Sequence, residues 1–97
     1  MVIEHVILPV TASDRQAFMS AFAQAKPLIE ASPGYLGLSL NAAIDEDEGY
    51  LLMVRWDSVG AHQDGFRQSD RYQTWRALLH PFYAAMPSVT YFDACAC

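Results

Sequence analysis

The chain has 97 residues, of which 53% are hydrophobic, and a formal net charge of −5 with only six basic residues. This length predicts one small domain over residues 1–97, which alone buries roughly two thirds of its unfolded surface. So large a hydrophobic share is easiest to accommodate if a second subunit covers an apolar face, so we expect a homodimer. The basic residues are scattered along the chain, which argues against binding to nucleic acid or to an anionic membrane.

The ends of the chain predict neither membrane insertion nor a metal site. No segment approaches the roughly 20 apolar residues of a membrane span, and the N-terminus lacks the pattern of a signal peptide. A cytoplasmic location is therefore expected. Cys95 and Cys97 would supply only two metal ligands, so we expect a frayed tail with reduced thiols and no bound metal.

The first half of the chain predicts a strand, a helix and a second strand. The strand covers residues 2–10, with Glu4 on one face and His5 on the other. Ser13 and Gln16 fit a capping box at the start of the helix, and Pro27 is expected to kink or loosen it. Residues 32–34 end the helix, and residues 35–43 form the second strand. The helix face should carry Phe18, Phe22, Ala25 and Ile29.

The second half predicts a strand, two helical segments and a last strand. An acidic turn over residues 45–48 leads into a strand over residues 50–56. Ser58 is placed to cap a short helix, and Ser69 or Asp70 to cap a longer one that His80-Pro81 ends. The last strand covers residues 88–94. The order β-α-β-β-α-β predicts an α+β, ferredoxin-like fold with an antiparallel sheet. Its uncovered face is apolar, and a second sheet packed face to face would cover it.

A group of aromatic and histidine side chains in the second half could line a pocket for a flat aromatic molecule. Core packing is the favoured interpretation for Phe66, Phe82 and Trp75, whereas the hydroxyls of Tyr72 and Tyr83 favour a pocket. The full group is Trp56, His62, Phe66, Tyr72, Trp75, His80, Phe82 and Tyr83.

Two of the three histidines could act in that pocket. His62 could exchange a proton with a phenol near neutral pH; the alternative is a partly exposed histidine bonded to Asp64, Ser58 or solvent. His5 could reach the same cavity or lie at the dimer seam. His80 is expected to close its helix by bonding a backbone carbonyl.

Arg76 is the remaining candidate for chemistry. A buried guanidinium at this position could bind a carboxylate, a phenolate or the negative charge of reduced oxygen. The alternative is an ion pair with Asp70 or Asp57.

The segment from Leu51 to Pro87 resembles the antibiotic biosynthesis monooxygenase domain. The similarity rests on the strand end Arg55-Trp56-Asp57-Ser58, on the spacing of the aromatic, histidine and arginine residues that follow, and on the upstream Pro33-Gly34-Tyr35-Leu36-Gly37. It covers nearly the whole chain and implies a dimeric, ferredoxin-like α+β barrel.

The quinone-forming members of this family carry an Asn, a Trp, a Tyr and an Arg at fixed spacing. The resemblance implies that Trp56 and Arg76 match the Trp and the Arg, that His62 stands in place of the Tyr and that Leu52 stands in place of the Asn. Those enzymes oxidise polycyclic phenols with dioxygen and need neither metal nor flavin. The implied catalytic set is therefore Trp56, His62 and Arg76, with no cofactor. The candidates for substrate binding are Tyr72, Trp75, Tyr83, His5 and His80.

Haem-degrading relatives use an Asn, a Trp and a proximal His. The matching positions here are approximately His5, Phe66 and Arg76. Because none of the three residue types is retained, haem degradation is not expected. The leading hypothesis is a cofactor-independent monooxygenase acting on a small aromatic or quinol compound. The alternatives are a non-catalytic dimeric protein that binds a small molecule, and an acid–base isomerase on the same fold.

Overall fold

The computed structural model describes residues 1–95 as a four-stranded antiparallel sheet with two helices on one face. The strand order is β2-β3-β1-β4. This arrangement confirms the predicted α+β, ferredoxin-like fold. The elements in chain order are β1 (Val2–Leu8), α1 (Arg15–Glu30), β2 (Tyr35–Ala42), β3 (Tyr50–Trp56), α2 (Asp70–Leu79) and β4 (Val89–Asp93).

Strand β1 lies in the middle of the sheet and alternates as predicted. Glu4 is buried under the helices, whereas Ile7, on the opposite side, is 49% exposed. In the antiparallel register, Glu4 lies opposite Val54 of β3 and Tyr91 of β4. Because directly opposed residues share a face of the sheet, Tyr91 also points to the side that the helices cover.

Helix α1 begins differently from the prediction. Ser13 caps nothing; a 3₁₀ turn over Ala12–Asp14 precedes the helix, and the Thr11 hydroxyl donates to the Asp14 carboxylate at 3.1 Å. The capping-box prediction was wrong because the chain already turns at Thr11, whose carbonyl accepts from the Asp14 amide at 3.0 Å. The helix also continues through Pro27 to Glu30, since one lost backbone hydrogen bond is offset by the packing of its buried face.

Both predicted serine caps are present before the second helical region. The Ser58 hydroxyl accepts from the Ala61 amide at 3.1 Å, and the Ser69 hydroxyl accepts from the Tyr72 amide at 3.3 Å. Between them lies a π-helical turn (Ala61–Phe66), a form often found at functional sites. Its wide spacing buries two side chains four residues apart, His62 and Phe66.

The core fills the space between the sheet and the two helices. Its largest fully buried side chains include Trp56, Phe18 and Phe66. The opposite side of the sheet, here called the open face, has no covering element among residues 1–95. By register it carries Ile3, His5, Ile7, Leu51, Met53 and Phe92, together with Ser39, Asn41, Arg55 and Thr90.

Candidate functional site

A carboxylate is buried in the middle of the covered face. Glu4 is 5% exposed, and its Oε1 accepts a hydrogen bond from the Trp56 indole N–H at 2.9 Å. The sequence pattern placed Glu4 and His5 on opposite faces of β1 but assigned Glu4 no chemistry. The signal was available, because a charged residue among the inward apolar positions of β1 needs a partner or a function.

His62 lies beside this carboxylate. Its Nε2 is 3.4 Å from Glu4 Oε1, and its Nδ1 is 2.5 Å from the hydroxyl oxygen of Tyr91. The imidazole also packs between the rings of Trp56 and Phe66, with centroid distances of 5.5 and 6.5 Å. The alternative interpretation of His62 as a partly exposed helix residue was therefore wrong, since its side chain is buried against the sheet.

Burial shifts the two titratable groups in opposite directions. Loss of solvation raises the pKa of Glu4 from 4.5 to about 7, against the opposing effects of the Trp56 hydrogen bond and the Arg67 charge. Loss of solvation, with a further contribution from Arg67, lowers the pKa of His62 from 6.5 to about 4. Between these values the pair holds one proton in the region of Glu4 Oε1 and His62 Nε2. Such a pair can accept and return a proton near neutral pH.

Tyr91 completes a chain of three polar groups. Burial is the main cause that raises the pKa of its hydroxyl, so the hydroxyl keeps its proton at neutral pH. It can then donate to Nδ1 and leave Nε2 to face Glu4. Tyr91 was not singled out from sequence, because only the β1–β4 register shows that it lies across from Glu4.

Glu4 and His62 form part of the wall of a cavity of about 100 Å³ between the sheet and α2. Most of the wall is aromatic or aliphatic, as in sites for small organic molecules. The predicted pocket residues that line it are His62, Tyr72, Trp75, His80 and Tyr83, and Phe66 and Arg67 also contribute.

The cavity opens into a wider surface groove, here called the outer groove. Arg67, Tyr72, His80 and Met86 line both spaces, so the groove is the mouth of the cavity. Its remaining lining residues are Arg76, Ala77 and Pro81.

Three of the predicted site residues lie away from the cavity wall. Trp56 is fully buried behind it and contacts Glu4. His5 lies on the open face, where its ring meets Phe92 edge-on at 5.5 Å; the alternation of β1 prevents it from reaching the cavity. Arg76, expected to be buried, is exposed in the outer groove.

Other side chains of the predicted pocket group have mixed roles. Phe66 and Trp75 are buried in the core, as expected, yet both also line the cavity. Phe82 packs edge-on against Phe18 at 5.6 Å. His80 is the C-cap residue of α2 through its backbone N–H, but the predicted bond from its side chain to a backbone carbonyl is not formed within residues 1–95. Its ring instead lies 6.3 Å from Tyr72 and 5.4 Å from Tyr83.

Over residues 1–95, no group of three His, Cys, Asp or Glu side chains is placed to hold a metal ion. Within the same range, no helix combines the length and the apolar content needed to cross a membrane. The predicted tail of Cys95 and Cys97 ends outside the described residues, because residues 96 and 97 are not among them.

Residues 1–78 match the family model of the antibiotic biosynthesis monooxygenases. The chain belongs to the antibiotic biosynthesis monooxygenase family. A curated relative, the uncharacterized protein YczJ of Bacillus subtilis (strain 168), is 42% identical over 93 residues, which are 96% of this chain and 98% of YczJ.

Solved structures of monooxygenase-family proteins have the same fold. A putative antibiotic biosynthesis monooxygenase from Bordetella bronchiseptica is 30% identical, with a TM-score of 0.87 over 97% of each chain. A Streptomyces coelicolor monooxygenase from the gene ActVA-Orf6, in complex with nanaomycin D, is 16% identical, with a TM-score of 0.82 over 99% of this chain and 88% of that one. At that identity the second similarity concerns the fold alone.

Proposed function

We propose that this family member is a monooxygenase that oxidises a small aromatic or quinol compound with dioxygen and without a metal or organic cofactor. The observation that carries the proposal is the Glu4–His62 pair in the cavity wall, at a contact distance of 3.4 Å. Family membership supports the reaction class, and the pair supplies the proton transfer that this reaction begins with.

The reaction starts with removal of a phenolic proton. The Glu4–His62 pair takes it: Glu4 titrates near neutral pH and accepts the proton, and His62 Nε2 beside Oε1 positions the carboxyl group. The substrate becomes an electron-rich phenolate able to reduce dioxygen. Overall, one oxygen atom enters the ring and the other leaves as water with two hydrogen atoms from the substrate. All four electrons come from the substrate, so a hydroquinone plus dioxygen gives a hydroxyquinone plus water.

The remaining predicted catalytic residues would act indirectly or at the mouth. Trp56 would position Glu4 through its indole N–H. Arg76 would stabilise negative charge on the part of the substrate that extends into the outer groove.

The cavity lining supports an aromatic substrate. Phe66, Tyr72, Trp75 and Tyr83 offer ring faces and edges within one small space, which favours a flat ring. The cavity, at about 100 Å³, is smaller than the roughly 300–1,000 Å³ of typical ligand sites. One or two rings would therefore enter it, and the rest of the molecule would lie in the outer groove.

A homodimer is part of the same proposal. Ile7 is 49% exposed and Phe92 is 51% exposed on the open face, beside the apolar side chains of Ile3, Leu51 and Met53. A second copy packed face to face would cover this surface and give the dimeric barrel. The cytoplasmic location expected from the sequence stays a prediction.

Dioxygen uptake by the purified protein tests the proposal, with a panel of anthrones, hydroquinones and catechols and with His62→Ala alongside. We expect uptake above background that falls by roughly 100-fold or more in His62→Ala. Gln73→Ala, on the exposed side of α2, is the matched control and should keep full activity.

Two other outcomes would redirect the assignment. Conversion of a substrate that depends on His62 but consumes no oxygen would point to the acid–base isomerase, which needs only the proton-holding pair. Ligand binding without turnover of any kind would point to a non-catalytic binding protein.

A further inference from the structure

The outer groove collects positive charge in a protein whose net charge is −5. Two of the six basic residues of the chain, Arg67 and Arg76, line it together with His80. Burial lowers the pKa of His80, and the charges of Arg76 and then Arg67 lower it further. At neutral pH His80 is therefore an uncharged hydrogen-bonding group in the same groove as the two guanidinium groups.

Neither guanidinium group forms a direct ion pair with an acid of the described chain, although the charge of Arg67 acts on Glu4 at longer range. Among residues 1–95, the ion-pair contact found is that of His62 with Glu4, so the pairing of Arg76 with Asp70 or Asp57, considered from the sequence, does not occur. Arg67 lies over the Tyr72 ring at 5.7 Å, which holds it at the mouth of the cavity without satisfying its charge. Two guanidinium groups without acidic partners at the entrance of an apolar cavity are suited to bind an anion.

The inner end of the cavity has the opposite preference. Glu4 forms part of the wall there, where burial already disfavours its own ionised form. The same loss of solvation disfavours a ligand carboxylate at this end, and ionised Glu4 would repel it. An aromatic acid would therefore enter with its ring first, and its carboxylate would stay at the mouth.

We propose that the ligand of this cavity is an aromatic carboxylate, bound with its ring beside His62 and its carboxylate between Arg67 and Arg76. The inference deepens the proposed function and rests on its cavity, but it concerns binding and needs no oxygen chemistry. It would make the two arginines determinants of substrate specificity.

Calorimetric titration with 2-naphthoate and 2-naphthamide tests the inference, because the two probes share a ring and differ in charge. We expect 2-naphthoate to bind roughly tenfold more tightly than 2-naphthamide, because its carboxylate can accept charge-assisted hydrogen bonds from the guanidinium groups. The double variant Arg67→Gln/Arg76→Gln should abolish this preference and leave the affinity for 2-naphthamide within about twofold. Lys26→Gln removes one positive charge from the exposed surface of α1, as each of the single variants Arg67→Gln and Arg76→Gln does at the groove. It is expected to keep the preference, which controls for long-range attraction.

The outcomes separate this inference from the proposed function. Equal binding of both probes, or a preference that survives in the double variant, would overturn the carboxylate assignment while leaving the cavity in place. Binding of neither probe would overturn the aromatic cavity and the carboxylate assignment together. Tight, arginine-dependent binding of 2-naphthoate without oxygen uptake by any substrate would support the inference and count against the monooxygenase.

Discussion

Neighbouring residues of one strand lie on opposite faces of the sheet, and the two faces place them in different chemical environments. Glu4 and His5 are adjacent on β1, yet Glu4 is buried beside His62 and Trp56, whereas His5 lies on the open face against Phe92. Helices exclude water from the first face and shift the pKa values of its titratable groups. The second face exposes Ile7 and Phe92 among polar side chains and is the face proposed to meet a partner subunit. Function on this fold therefore depends on which face a residue occupies more than on its type.

Replacing the buried carboxyl group of Glu4 with an amide should lower the activity of the protein. Glu4→Gln keeps an acceptor for the Trp56 indole N–H but cannot exchange a proton, so turnover of an identified substrate should fall by roughly 100-fold or more. Steady-state kinetics with intact folding checked by circular dichroism measure the effect. Turnover within threefold of the wild-type protein would show that Glu4 is only a structural residue.

Substitutions on the open face should change the oligomeric state of the protein. Lysine at Ile7 and Phe92 together would place two unpaired charges in the proposed interface and weaken association by at least roughly 30-fold. Sedimentation velocity should show a shift from dimer to monomer. Met19→Lys, at a side chain of α1 that is 45% exposed, is the control and should remain dimeric; a wild-type protein that is monomeric at low micromolar concentration would exclude the barrel.

The buried pair should give single variants with opposite pH dependences of stability. Glu4 has its pKa raised from 4.5 to about 7, so its contribution to stability is present below pH 4.5 and is lost as the pH rises to 7. His62 has its pKa lowered from 6.5 to about 4, so its contribution is present above pH 6.5 and is lost as the pH falls to 4. In the wild-type protein these two slopes oppose each other over their shared range.

Replacing one member of the pair should therefore reveal how the other makes the free energy of unfolding depend on pH. Glu4→Gln should become more stable as the pH rises from 4.5 to 6.5, and His62→Gln less stable, each by about 1 kcal/mol per pH unit relative to the double variant. Urea denaturation at several pH values measures both slopes. Slopes of the same sign in the two variants would contradict the assigned pKa shifts.

The smallest effect is expected at Tyr91. Tyr91→Phe removes the hydroxyl next to His62 Nδ1, and the loss of one such hydrogen bond should lower kcat by roughly three- to tenfold. Since Tyr91 does not belong to the cavity lining, KM should stay within about twofold. A rise in KM with unchanged kcat would instead make Tyr91 a substrate contact.

The sequence predicted the fold well because the fold follows from periodicity and turn chemistry. The alternation of β1, the serines at positions 58 and 69 and the order of the strands all appear as expected. The start of α1 was missed because a 3₁₀ turn and a capping box use the same residue types. The continuation of the helix through Pro27 depends on packing that no local pattern reveals.

The candidate site was predicted only in part, because the residues that contact one another there lie far apart in the sequence. His62 was chosen for its chemistry, but its neighbours Glu4 and Tyr91 come from opposite ends of the chain and meet only through the sheet register. Arg76 was expected to be buried, and helix periodicity alone does not show that α2 turns this side chain outward. Arg67 was not singled out because only the fold shows that it lines both the cavity and the outer groove.

A direct titration of the Glu4 carboxyl group tests the central claim, that the covered face holds a pair able to exchange a proton near neutral pH. Carbon-13 NMR of glutamate-labelled protein, assigned with Glu4→Gln, would follow this group from pH 4 to 9. We predict a midpoint near pH 7, in agreement with the raised pKa of Glu4. A midpoint near 4.5, as in an exposed glutamate, would contradict the account.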